Sequence, residues 1–263
     1  MRWLEAHPPD PATDAVGVLT LDAMTWFVLA EFHPVEATRR SAGEQLDRRL
    51  RAMPLPAEPT MVALSYWSTV LEMMSIRRID LTRYRSALAD WDLQALVEEA
   101  VPTTGFWIDV MLHDVGLRDE PDPAGTLLAT GPSVPPGEYE PTVRDAYRLF
   151  HELVPLTGMA RKPTTGIDPQ QLEFARRVVA QLAAAGRREG DTDGVAEALV
   201  CAAILGAGET ESHREDLAWL LSRQQEDGTF LARRDSGRDT TADHYRHVVM
   251  TSSWALLASV PAE

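Results

Sequence analysis

The chain is poor in cysteine and lysine. Cys201 is its one thiol in 263 residues. A lone cysteine excludes an intramolecular disulfide and fits a reducing compartment. Its setting, Leu199-Val200-Cys201-Ala202-Ala203, reads as a buried and inert thiol. Lys162 is the only lysine, so 25 − 1 = 24 of the basic residues are arginine. They face 40 acidic residues, for a net charge of −15. That excess argues against nucleic-acid and anionic-membrane partners, both of which require basic surface. No apolar run approaches the roughly 18 residues that would span a bilayer. The segment Met1–Pro9 lacks the apolar stretch of a secretory signal, which leaves a cytoplasmic location as the expectation. Strand signals are almost absent, with no alternating β-branched run and no Asn-Gly turn. A Walker loop, a dinucleotide glycine fingerprint and a Ser-His-Asp constellation are missing too. Gly206-Ala207-Gly208 follows a helix rather than a strand, so it is no nucleotide loop. A small-molecule substrate is the partner left standing, and the oligomeric state stays open.

What is present is helix after helix. Hydrophobic residues make up 44% of the chain, enough at this length for a substantial core. A first helix runs from about Asp14 or Thr20 to His33, where Pro34 stops it. The arginine- and acid-rich stretch from Arg39 to Arg51 reads as a solvated helix. After the stiff connector of Pro54, Pro56 and Pro59, Met61 to Ile76 is almost wholly apolar and reads as buried on most sides. Leu81 to Ala100 alternates charge and apolarity at helical spacing, and Pro102 to Gly116 forms another helix. Residues 116–141 hold six prolines and four glycines without periodicity. They are expected to be a long loop over one end of a single 1–263 domain rather than a linker, and such loops are often lids. Thr142 with Asp145 caps a helix that Pro155 ends. Asp168-Pro169-Gln170-Gln171 opens the next, expected to close at Gly186.

The last third concentrates the reactive side chains. Asp193 and Glu197 sit four apart at the start of a helix, so their carboxylates share a face and repel unless a cation or proton lies between them. A plain alternative is acid enrichment at a solvated helix N-terminus, favoured by the helix dipole. Ser212-His213-Arg214-Glu215 has the form of a capping box for the next helix. A turn at Gln225–Phe230, with Gly228 supplying the bend, leads to a final helix from about Thr241 to Ser259. On that helix His244, His247, Thr251 and Trp254 share a face.

Gln225-Glu226-Asp227-Gly228-Thr229-Phe230 resembles the glutamine–aspartate–glycine–aromatic turn that joins outer to inner helices in α/α toroids, the fold of terpenoid cyclases and protein prenyltransferases. Over roughly Thr142 to Val260 the chain also resembles a bacterial toroid group of unassigned function found among natural-product genes. That group carries a Tyr-x-x-x-His helix, an Asp-x-x-x-Glu helix and a final Tyr-His helix. The matching residues are Tyr147 and His151, Asp193 and Glu197, and Tyr245 and His247, with Arg246 intervening in the last pair. The resemblance implies an all-α fold, an α/α toroid of paired inner and outer helices, and an enzyme of specialised metabolism with a site at its central cavity.

Three chemistries are compatible with these residues. His151, Asp193, Glu197 and His247 could form a two-His, two-carboxylate centre for iron, copper, zinc or manganese, with Tyr147 and Tyr245 orienting a small apolar or aromatic substrate. A metal-free pocket could instead use Asp193 or Asp191 as a general acid, as cyclases do. Asp191-Thr192-Asp193-Gly194 resembles the class II cyclase acid motif without its last aspartate, and neither the class I aspartate-rich motif nor the Asp-x-Cys pair of prenyltransferases is present. The third possibility is a non-catalytic toroid that binds a small molecule or partner in a cavity lined by aromatic residues such as Trp26, Trp67 and Trp107.

Overall fold

The computed structural model describes residues 8–11, 15–134, 138–208, 210–230 and 242–259, without the side chains of 165 and 242–245. Among the described residues every regular element is a helix, and the one β-bridge pairs Gln224 with Phe230. The protein is all-α. It divides into two compact units, His7–Asp122 and Pro123–Glu263 (the latter with Met1–Ala6), and the boundary falls inside the proline- and glycine-rich stretch.

The N-terminal unit is built on α1 (Val16–Phe32) and α3 (Met61–Ile76), whose sequences are apolar nearly all round. The solvated α2 (Glu36–Ala52) buries only Ala42, Gly43, Leu46 and Leu50, and packs them on α1. The helix expected from Leu81 to Ala100 is two short ones, α4 (Thr82–Leu88) and α5 (Leu93–Glu98). The chain breaks before Asp92 because that carboxylate serves as a new N-cap, accepting the Ala95 N–H at 3.1 Å. Pro102 opens α6 (Pro102–Asp114), which is held to α3 by the Trp107 indole N–H donating to Thr69 Oγ1 at 3.0 Å.

In the C-terminal unit, the stretch expected to be a loop contains a one-turn helix, α7 (Leu127–Thr130), and a 3-10 turn (Gly131–Ser133). Its anchor is Glu152 on α8 (Val143–Leu156), whose two oxygens accept the Leu127 and Leu128 N–H groups at 2.6 and 2.8 Å. Thr126 takes the next amide, that of Ala129, at 3.0 Å, so three free donors of the short helix are satisfied by side chains. The Thr142–Asp145 capping box that starts α8 is present. Asp168 caps α9 (Pro169–Glu189) by accepting the Gln170 and Gln171 amides. This helix runs past Gly186 and stops at Gly190, whose φ of +67° suits a residue without Cβ. The N-cap of α11 (Glu211–Leu221) is Thr210, which accepts the His213 amide, and not Ser212. The final helix, α12, covers Ala242–Ala258.

α10 (Thr192–Ile204) is the centre of this unit, packed by α8, α9, α11 and α12. Residues Thr192 through Ala202 are all buried. Such enclosure needs small residues at the contacts. A Cβ on Gly194 would lie 2.3 Å from Val143 Cγ2 of α8. Gly194→Ala is therefore expected to cost about 1–3 kcal/mol in chemical denaturation, with Val143→Ala recovering most of the loss in the double variant. Glu152→Leu should leave two buried amides without acceptors, cost about 2–4 kcal/mol, and speed hydrogen exchange at Leu127 and Leu128 specifically.

Candidate functional site: buried carboxylates facing an imidazole

Asp191 builds the start of α10. Its Oδ1 accepts the Gly194 amide at 3.0 Å, and its Oδ2 accepts the Tyr147 hydroxyl at 2.9 Å from α8. With both oxygens engaged, Asp191 is an anchor for two helices. Asp193 and Glu197 follow one turn apart and are buried, which overturns the reading of a solvated, acid-enriched helix start. α12 supplies their partners. The Thr251 hydroxyl donates to Asp193 Oδ1 at 2.6 Å, and His247 Nε2 lies 3.1 Å from Asp193 Oδ2 and 3.5 Å from Glu197 Oε1.

The ligand-capable atoms of Asp193, Glu197 and His247 all lie within 4.8 Å of one another. Glu197 is 0% exposed, yet among the described residues its oxygens meet no hydrogen-bond donor at good geometry, and its contact with His247 is at ion-pair distance, 3.5 Å. A buried carboxylate in that state is costly as an anion. Burial, then the negative charge of Asp193, push its pKa up to about 8, although His247 pulls the other way. Burial alone would lower the pKa of His247, but Asp193 and Glu197 together raise it well above the usual imidazole value. The cluster thus takes up positive charge wherever it can find it.

His151 lies on α8 outside the 4.8 Å group, although Asp193 and His247 both act on its charge. Its Nδ1 is 2.7 Å from the Tyr147 carbonyl, which can only accept, so Nδ1 carries the proton and Nε2 the lone pair. Burial holds this imidazole neutral, with a pKa near 4. Phe150 packs edge-on against both His151 and Trp254, with ring centroids 5.5 and 5.7 Å apart. The Tyr147 phenol is kept protonated by burial and by the surrounding carboxylates of Asp193, Asp191 and Glu197. The side chain of Tyr245 lies outside the described residues, as does that of His244.

Of the residues singled out by sequence, the fold brings Asp193, Glu197 and His247 together, with Tyr147 tied to the same helix start. Glu152, the anchor of α7, is a residue that the sequence reading does not single out. A lone acid inside the apolar run Leu149–Val154 was the available signal, and Asp22 in α1 carries the same one.

Fold and site define an all-α protein whose C-terminal unit holds two buried carboxylates against a part-exposed imidazole. The chain belongs to a family described as a domain of unknown function (DUF6895), which it matches over residues 69–260. No curated protein and no solved structure matches it.

The depressed pKa of His151 has a consequence for stability. The fold refuses a proton that the unfolded chain binds near pH 6.5, so this contribution is complete above about pH 6.5 and is lost as pH falls toward 4. The wild type should lose about 1–3 kcal/mol over that interval from this group, and denaturation of His151→Gln across the same pH range should lack that share.

Proposed function

We propose that the protein is an enzyme of specialised metabolism that uses a transition-metal ion bound by Asp193, Glu197 and His247, with His151 available from α8. The observation that carries this reading is the Glu197 carboxylate, fully buried, without a well-formed hydrogen bond among the described residues, and directed at a second carboxylate and an imidazole. A divalent cation offsets both carboxylates where a proton offsets one. Carboxylate and imidazole donors suit iron, manganese, zinc or copper. Thr251 on Asp193 and the Tyr147 carbonyl on His151 provide the outer hydrogen bonds that orient such ligands. Three protein ligands leave positions for substrate or water, where a metal polarises an oxygen or activates a nucleophile. The likeness to α/α toroids contributes the substrate class, a small apolar or aromatic intermediate.

A second reading has its own support. With a pKa near 8, Glu197 is protonated at neutral pH and could act as a general acid without metal, in the manner of a cyclase. Asp191 is the weaker candidate for that role, since the Gly194 amide and the Tyr147 hydroxyl occupy both its oxygens.

Metal analysis separates the two. Untagged protein offered iron, manganese, zinc and copper in turn should retain about one equivalent of a preferred ion, and Glu197→Gln and His247→Ala should each weaken retention at least ~10-fold. Metal no higher than in a buffer control, with the stability of both variants unchanged, would remove the metal reading and leave the acid.

A further inference from the structure

The N-terminal unit contains a cavity of about 240 Å³ between α1, α2 and the Pro8–Pro11 segment. It shares no residue with the α10 cluster. One side is apolar, formed by Leu19, Met53 and the prolines, and the other presents Gln45, Arg48 and Arg49. Arg49 is held rigidly. Its Nε binds the fully buried Asp22 carboxylate, its Nη1 donates to Gln45 Oε1 at 2.8 Å, and its guanidinium lies 4.7 Å from the centre of the Trp26 ring. Its Nη2 hydrogen-bonds to no protein group among the described residues. Arg48, on the same wall, meets no carboxylate among the described residues, and its hydrogen bond there is a long one, from Nε to the Glu44 carbonyl at 3.4 Å.

We propose that this cavity binds a small monocarboxylate through the spare guanidinium groups of Arg48 and Arg49, with the ligand's apolar body against Leu19, Met53 and the proline segment. The sign of the charge follows from the wall. Among the described residues that line it, Asp22 is the partner of Arg49 and Arg48 supplies a second cation, so this part of the wall carries one positive charge more than negative, which matches a monoanion better than a phosphate dianion. Such a basic recess is out of keeping with a chain of net charge −15. The planar fork of a guanidinium fits the planar carboxylate. At the roughly 30 Å³ that a water occupies in the liquid, the volume admits about eight non-hydrogen atoms. Hexanoate has that size and serves as the probe.

The test is a 1H–15N NMR titration of the full chain with sodium hexanoate, followed at the Trp26 indole N–H and the arginine Nε–H signals, with hexan-1-ol and hexylamine as controls. Saturable shifts with hexanoate are expected, with hexan-1-ol at least ~10-fold weaker and hexylamine silent. Arg48→Ala should weaken hexanoate about five- to tenfold, and the exposed Arg48→Glu should exchange the preference to hexylamine. Ala52→Phe, placed at the rim, should fill the cavity and abolish binding without touching the Asp22–Arg49 pair. Absence of saturable shifts, equal binding of the alcohol, or undiminished binding by Ala52→Phe would overturn the proposal.

Discussion

Everything in the C-terminal unit turns on the burial of two carboxylates one helical turn apart. Asp193 and Glu197 project from a helix that four others enclose, where each ion costs several kcal/mol relative to water. Against a typical domain stability of about 5–15 kcal/mol, that cost is met only if positive charge and hydrogen-bond donors are brought to the same place. α12 brings them, as Thr251 and His247, and α8 adds Tyr147 through Asp191. Three elements far apart in sequence are thus fastened by the same electrostatic demand. The pairing is uneven, however. Asp193 receives a hydroxyl and an imidazole, whereas among the described residues Glu197 has only the His247 imidazole, at 3.5 Å. The asymmetry is what gives the cluster chemical interest.

The scaffold meets that demand by close approach. Gly194 lets the first turn of α8 come against the first turn of α10, and Gly186 does the same for α9, where an added Cβ would lie 3.0 Å from the Val195 amide nitrogen. Asp191 then does two jobs with two oxygens, accepting one free amide of the helix start, that of Gly194, and holding the Tyr147 phenol. Glu152 repeats the device on α8, where a buried carboxylate gathers the free amides of α7.

Local signals in the sequence carried the helices well. Proline at the start of α6 and α9 removes a free backbone donor, and aspartate at the N-cap of α9 and the Thr142–Asp145 box satisfy others within a few residues, so these signals are visible in a short window. The break between α4 and α5 escaped notice because apolar periodicity continues across it while Asp92 competes locally for the backbone. The site was half visible. The four-residue spacing put Asp193 and Glu197 on one face, and successive steps of four and three residues put His247 with Thr251 and Trp254 on another. That the two faces meet depends on packing across some fifty residues, which no local pattern encodes. Glu152 was invisible in its role for the same reason, since its partners Leu127 and Leu128 lie 25 and 24 residues away.

The stripe that carries Asp193 and Glu197 continues one turn further to Cys201. This thiol is 0% exposed, and burial together with the charges of Glu197 and Glu152 lifts its pKa well above the ordinary cysteine value. Neutral and out of reach, it is inert toward alkylating reagents while the bundle is closed. Because it is the chain's single sulfhydryl, any labelling marks one event, the parting of α10 from its neighbours. The protein therefore carries its own gauge of how often the helix that holds its acids is laid open to water.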